Sequence, residues 1–170
     1  LDEARRLDSM LDMLAVTGDQ PGPRFVELDL AEVIEDEVSR LPRRQFDRIE
    51  MHLAPAAITA DEMSIRRLVV NLVSNALLHT DAPITIMVTT ARDVVFTVAD
   101  RGEGLRASTQ PEAGHGLGLG IVESVVELHG GGIDVHPRFG GGTTVTVSLP
   151  KREAAPVRPA SPSTTFRRVI

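Results

Sequence analysis

Three short stretches decide how this chain folds: NLVSNALLHT at residues 71–80, DRGEG at residues 100–104 and GHGLGLG at residues 114–120. The first lies in a segment whose apolar residues recur at the spacing of one helix face. The second follows a run of β-branched residues, which favours a strand. The third leads directly into an apolar helical pattern. Helices and strands are therefore interleaved, which predicts an α/β domain.

Working outward, the apolar periodicity predicts helices at 30–41, 62–79 and 117–129 and strands at 25–28, 49–53, 57–59, 84–90, 94–99, 133–136 and 143–149. The helix at 62–79 has the clearest stripe, formed by Ile65, Leu68, Val69, Leu72, Val73, Ala76 and Leu77. Asp29 and Asp61 are suited to cap the first two helices. The strands at 84–90 and 94–99 are predicted to form an antiparallel pair.

The two ends of the chain differ from this central part. Residues 1–17 have a helical apolar pattern, and residues 18–24 are predicted to be a linker because two prolines interrupt the helix. Residues 151–170 have no apolar period and are predicted to be disordered. Residues 25–150 are then predicted to form one compact domain.

Composition argues against several classes of protein. The net charge of -6 and the isoelectric point near 5.3, without a basic cluster, argue against nucleic-acid binding. The absence of cysteine excludes a disulfide framework and a thiolate metal site. No apolar run approaches the roughly 18 residues that a membrane-spanning helix needs.

Asn71 and Asn75 are four residues apart and therefore share one face of their helix, beside the apolar stripe. Their amide oxygens are hard, neutral ligands suited to Mg²⁺, which takes few protein groups beside substrate phosphates. The simpler alternative is two asparagines that merely border a buried stripe. Because asparagine is a poor helix former, a pair of them in a strong helix favours a function.

Asp100 ends an apolar strand and is followed by Gly102 and Gly104. A carboxylate at this point can accept a hydrogen bond from an exocyclic amine such as that of adenine, and the glycines let the backbone approach the ring. An ordinary turn is the alternative interpretation.

The glycine run exposes backbone N–H groups beside the positive end of a helix, where phosphates bind readily. A flexible linker is the alternative, but linkers seldom place leucines at alternate positions, as at Leu117 and Leu119, or lead directly into a core helix. Together the three stretches predict a pocket for a magnesium-bound nucleotide.

In this order the stretches resemble the catalytic ATP-binding domain of sensor histidine kinases, within the GHKL superfamily. NLVSNALLHT resembles the N box, DRGEG and GHGLGLGIV resemble the two glycine boxes, and GGTTVTVSLP at 141–150 resembles the closing strand. The resemblance implies a two-layer α/β sandwich with a mixed, mostly antiparallel sheet and about three helices, the Bergerat-type fold. It also identifies residues 1–17 with the C-terminal end of the dimerisation and phosphotransfer helix.

The resemblance implies that Asn75 holds Mg²⁺, that Asn71 assists near the phosphates of ATP, and that both take part in catalysis. It implies that Asp100 binds the adenine amine, helped by Thr143. It further implies nucleotide contacts at His79, Gly102, Gly104, Gly114, His115, Gly116, Leu117 and Gly118.

The resemblance also implies an activity and partners. The γ-phosphate of ATP would pass to a histidine on an upstream dimerisation domain, and a response regulator would then receive it. The full-length protein would be a homodimer, with this domain on the cytoplasmic side of a membrane-anchored sensor. Asn71 stands where hydrolytic members of the superfamily carry a glutamate, so this site has no general base, which favours transfer over hydrolysis.

Three features depart from the family pattern. Leu78 stands where sensor kinases often carry a basic residue that contacts phosphate, a role open here to His79, Arg101, Arg106 or His115. Only residues 106–113 separate the two glycine boxes, and no histidine fits the phosphoacceptor. We therefore expect this chain to bind Mg-ATP without phosphorylating itself. A degenerate nucleotide-binding or docking module and an anti-sigma-type serine kinase are the alternatives.

Overall fold

The computed structural model describes residues 22–78, 80–102 and 115–151, with the backbone alone at residues 115–118. Its elements in chain order are β1 (Phe25–Asp29), α1 (Leu30–Ser39), α2 (Arg43–Phe46), β2 (Ile49–Leu53), β3 (Ala57–Asp61), α3 (Glu62–Leu78), β4 (Ile84–Thr90), β5 (Asp93–Ala99), α4 (His115–Leu128), β6 (Gly132–Pro137) and β7 (Thr143–Pro150). Among these described helices, none has the length and apolar character needed to span a membrane.

Five strands form one mixed sheet in the order β2-β4-β5-β7-β6. The β2–β4 pair is parallel, and the other neighbouring pairs are antiparallel, including the predicted β4–β5 pair. Strands β1 and β3 form a separate two-stranded antiparallel sheet. Because Ala99 pairs with Thr144, the end of β5 lies beside the start of β7.

The core lies between the five-stranded sheet and a layer of helices. Alternate residues of β4 and β5 are buried, as expected for strands with one covered face. Helix α3 turns its predicted apolar stripe inward and contacts α1, α4 and β5. The largest fully buried side chain is that of Phe96, in the middle of β5. The predicted two-layer α/β fold with a mixed, mostly antiparallel sheet is confirmed.

Both predicted helix caps are present. Asp29 Oδ1 accepts hydrogen bonds from the backbone N–H groups of Ala31 at 2.9 Å and Ala56 at 3.0 Å. Asp61 Oδ1 accepts from the backbone N–H of Ser64 at 3.0 Å and from its hydroxyl at 2.6 Å. Each aspartate therefore satisfies N–H groups at the start of its helix and anchors the preceding strand to it.

Several predicted boundaries were wrong by about two residues. Helix α1 ends at Ser39, before Pro42, and α4 begins at His115, ahead of the predicted Leu117. The short helix α2 was not predicted, since four residues are too few to show a helical period. The segments at 1–17 and 152–170 lie outside the described residues.

Candidate functional site

Asp100 stands at the centre of the candidate site and is only 7% exposed. Its Oδ1 atom accepts hydrogen bonds from the backbone N–H groups of Gly102 at 2.8 Å and Thr143 at 3.2 Å. Its own backbone N–H donates to the carbonyl of Thr143 at 2.9 Å. Within the described residues Oδ2 makes no hydrogen bond, so one carboxylate oxygen is left to accept from a ligand.

The turn between β6 and β7 lies directly against Asp100. Gly142 has a φ of 93°, and a Cβ atom at this position would stand 2.2 Å from the Asp100 carbonyl oxygen. Arg138 Nη1 donates a hydrogen bond to the same carbonyl at 3.1 Å. Only glycine allows so close an approach with this backbone conformation.

Asn71 and Asn75 lie on one side of α3, and both are half-buried. The Nδ2 atom of Asn71 donates a hydrogen bond to the carbonyl of Arg67 at 2.7 Å, which leaves its Oδ1 as an acceptor. The side chain of Asn75 makes no hydrogen bond to any described residue. Two amide oxygens on α3 are therefore available to a ligand.

The structure brings Asp100, Gly102 and Thr143 into direct hydrogen-bonded contact. The two asparagines make no hydrogen bond to this group, but α3, which carries them, packs against both β5 and α4. Of the other predicted contacts, those at His115, Gly116, Leu117 and Gly118 form the first turn of α4, and those at His79, Gly104 and Gly114 lie outside the described residues. The first-turn N–H groups of a helix have no intrahelical partner and can bind an anion.

Of the basic residues that the sequence suggested near the site, the structure describes the side chain of Arg101 alone. Leu78 is 66% exposed, so it leaves an open apolar position at the end of α3. Arg101 is exposed beside Asp100, whereas Arg106 lies outside the described residues. Sequence reasoning missed Arg138, because its partner Asp100 is 38 residues away and no local pattern marks the contact.

Acidic or histidine clusters offer no metal site in the part of the chain that the structure describes. A hard cation here would depend on amide oxygens and on the oxygen atoms of the ligand that it accompanies. The pair Asn71 and Asn75 fits that chemistry, since both amide oxygens are free of hydrogen bonds to described residues.

Comparison with known proteins assigns a family to this chain. The sequence model for histidine kinase-, DNA gyrase B- and HSP90-like ATPases matches residues 60–153. The sensor protein kinase PmrB of Pseudomonas aeruginosa is 30% identical over 90% of this chain and 36% of its own length. The histidine protein kinase DivJ of Caulobacter vibrioides is 30% identical over 92% of this chain and 30% of its own length. The chain therefore spans about a third of these relatives.

Solved structures of histidine kinases share the overall fold. The mycobacterial sensor histidine kinase MprB superposes with a TM-score of 0.64 at 26% identity, covering 77% of this chain and 100% of that structure. The cytoplasmic segment of the histidine kinase QseC gives a TM-score of 0.61 at 25% identity, and the match covers 89% of this chain and 95% of that structure.

Fold and sequence together define a two-layer α/β domain of an ATP-binding class. The chain belongs to the family of histidine kinase-, DNA gyrase B- and HSP90-like ATPases. Within that family it is an ATP-binding catalytic domain of the sensor histidine kinase kind.

Proposed function

We propose that this domain binds ATP together with Mg²⁺ and supplies the γ-phosphate to a histidine on a dimerisation domain upstream of the described residues. The arrangement of Asp100 carries the proposal: in this nearly buried carboxylate, Oδ1 accepts two hydrogen bonds, and Oδ2 accepts none from the described residues. Such an acceptor suits the exocyclic amine of adenine, and it disfavours a base that presents a carbonyl oxygen instead.

The metal is assigned to Asn75, assisted by Asn71. Both side chains lie on α3, and neither amide oxygen is engaged by a described residue. Mg²⁺ accepts neutral oxygen ligands and keeps several waters beside phosphate oxygens. When bound, the ion would neutralise charge on the phosphates. The phosphates themselves are assigned to the first turn of α4, whose free N–H groups favour anions.

Within the described residues, α3 places no general base beside these asparagines. Glu62 is the only carboxylate of α3, and it lies in the first turn, where it pairs with Arg66 at 3.0 Å. Without a base to activate water, hydrolysis is disfavoured, and transfer to a protein acceptor is the favoured outcome.

The histidines within the described residues do not suit the role of phosphoacceptor. His129 is 4% exposed and has both ring nitrogens engaged in hydrogen bonds. His52 pairs with Glu50 on β2, and His136 lies on β6. We therefore assign the phosphoacceptor histidine to an upstream domain. A response regulator would then receive the phosphate from that histidine. The upstream domain would make the full-length protein a homodimer, with this domain on the cytoplasmic side of a membrane-anchored sensor.

A docking module without phosphotransfer is the second candidate. The exposed Leu78, at a position where a basic residue would contact phosphate, is the observation that favours it. The two candidates differ in one outcome, because only the kinase passes phosphate to an added upstream dimerisation domain.

Calorimetric titration of ADP and a nonhydrolysable ATP analogue, with and without Mg²⁺, tests the site. We expect Asp100→Asn to weaken binding of both nucleotides by about tenfold or more, since it disturbs a buried, charge-assisted acceptor. Asn75→Ala should remove only the gain in affinity that Mg²⁺ confers. Ser74→Ala, an exposed neighbour on α3, serves as the matched control. Equal Mg²⁺ dependence in wild type and Asn75→Ala would overturn the metal assignment.

A further inference from the structure

Arg138 connects the β6–β7 turn to the end of β5. Its Nη1 atom donates a hydrogen bond to the backbone carbonyl of Asp100 at 3.1 Å. The turn itself is closed by hydrogen bonds from the Arg138 N–H to the Gly142 carbonyl at 3.0 Å and from the Gly141 N–H to the Arg138 carbonyl at 3.2 Å. The half-buried guanidinium therefore extends from a fixed backbone.

This contact completes the restraint of Asp100. The backbone N–H of Asp100 is held by Thr143, and Oδ1 is held by Gly102 and Thr143. Arg138 holds the remaining backbone group, the carbonyl. That carbonyl belongs to the peptide that leads toward Gly102, so a rotation of the peptide would also move the Gly102 N–H away from Oδ1.

We propose that Arg138 is a positioning residue for adenine selectivity, which it exerts through the Asp100 carbonyl. The inference rests on the proposed adenine contact of Asp100 and extends it to a residue that does not touch the nucleotide. Gly102 and Gly142 have no side chains that would hold the peptide in place, and the Arg138 guanidinium supplies that restraint.

Selectivity is the property that this restraint affects. A carboxylate oxygen accepts from the amine of adenine, but it faces an oxygen atom when the base is hypoxanthine, as in IDP. A firmly held Oδ2 enlarges the difference between the two affinities, whereas a mobile one can turn away from the unfavourable partner. Loss of Arg138 should therefore lower the ratio of ADP affinity to IDP affinity.

The test measures the dissociation constants of ADP and IDP for wild type, Arg138→Met and Arg138→Lys, together with thermal melting of the nucleotide-free chains. We expect Arg138→Met to bind ADP about tenfold more weakly, with IDP affinity unchanged and Arg138→Lys restoring part of the difference. Arg92→Met is the charge-matched control, because Arg92 is exposed in the β4–β5 turn, at the opposite end of β5 from Asp100.

An unchanged ADP-to-IDP affinity ratio in Arg138→Met would overturn the inference, whether neither affinity changes or both fall by the same factor, as a purely structural role predicts. Arg138→Gln provides the same comparison if the methionine variant melts well below wild type. Failure of the proposed function is recognised separately, as a wild type that binds no ADP or an Asp100→Asn variant that binds it normally.

Discussion

Asp61 shows how one side chain joins β3 and α3 to the residue just before β1. It ends β3 and caps α3 through Ser64, and its Oδ2 accepts from the backbone N–H of Arg24 at 2.8 Å. Burial pushes the pKa of the Asp61 carboxyl upward, but the hydrogen bonds from Ser64 and Arg24 and the nearby His129 outweigh it. The pKa therefore falls below its ordinary value of 3.8.

This lowered pKa predicts a specific pH dependence for Asp61→Asn. A group whose pKa is lower in the folded state stabilises the fold above its unfolded pKa, and that stability is lost as the pH falls through the folded pKa. We expect Asp61→Asn to lower the free energy of unfolding by a constant amount between pH 7 and about pH 5, with the gap to wild type closing below about pH 4. Urea unfolding of wild type and Asp61→Asn across this pH range measures the difference in their free energies of unfolding. A difference that persists at the lowest pH would contradict the lowered pKa of Asp61.

His129, directly after α4, is a buried structural residue. Its Nε2 atom accepts from the backbone N–H of Asp61 at 3.1 Å, so Nδ1 carries the proton and donates to the Val125 carbonyl at 2.7 Å. The ring also packs 5.2 Å, centroid to centroid, from that of Phe25.

Because His129→Ala removes a buried ring and takes this partner from the half-buried Asp61 N–H, we expect it to lower the free energy of unfolding by about 2 kcal/mol. His136→Ala, at an exposed position on β6, should change it by less than about 0.5 kcal/mol. Chemical denaturation of both variants measures their free energies of unfolding. Similar losses in His129→Ala and His136→Ala would show that the His129 contacts contribute little to stability.

At the element scale, α1 and α3 are held together by charge as well as by apolar packing. The Arg66 guanidinium contacts Glu37, Asp36 and Glu62, and these hydrogen bonds, that of Glu37 first, raise its pKa and keep it ionised. The Glu37 side chain is only 12% exposed, so this network is less screened than an isolated surface pair.

Replacement of Arg66 by Met therefore has a predicted salt dependence. We expect a loss of about 1 kcal/mol in the free energy of unfolding at low ionic strength. The loss should shrink in about 1 M salt, where the Debye length is near 3 Å. Arg43→Met, which breaks a pair of largely exposed side chains with Asp47, should have almost no effect at either salt concentration. A loss of equal size in both salts would assign the effect to packing.

The sequence predicted elements wherever a periodic pattern was long enough. The β-branched runs of β4 and β5 and the apolar stripe of α3 predicted the bounds of these elements to within one residue. The contacts that build the site were harder to predict from the sequence. Thr143 and Arg138 each contact Asp100 from about 40 positions further along the chain. Such contacts depend on the order of strands in the sheet, which local periodicity does not encode.

At the scale of the whole molecule, the candidate site draws on segments that the sheet and the helix layer bring together. The residues that we propose for the site lie on the end of β5, the β6–β7 turn, the middle of α3 and the start of α4. A ligand that bridges these parts stabilises the whole fold by mass action, by about 2.7 kcal/mol at a concentration one hundred times its dissociation constant. A nonhydrolysable ATP analogue with Mg²⁺ should therefore raise the melting temperature of wild type more than that of Asn75→Ala.

The last prediction concerns what this chain does alone. The histidines on β2 and β6 and the buried His129 do not suit phosphate acceptance, so incubation with radiolabelled ATP and Mg²⁺ should leave the isolated chain unlabelled on histidine. The longer chain that includes the upstream domain should become labelled, and Asp100→Asn should abolish the labelling. An acid-labile, base-stable phosphate on the isolated chain would place the acceptor within these 170 residues and refute the division between acceptor domain and catalytic domain. No labelling of the longer chain, despite normal ADP binding, would favour the docking module.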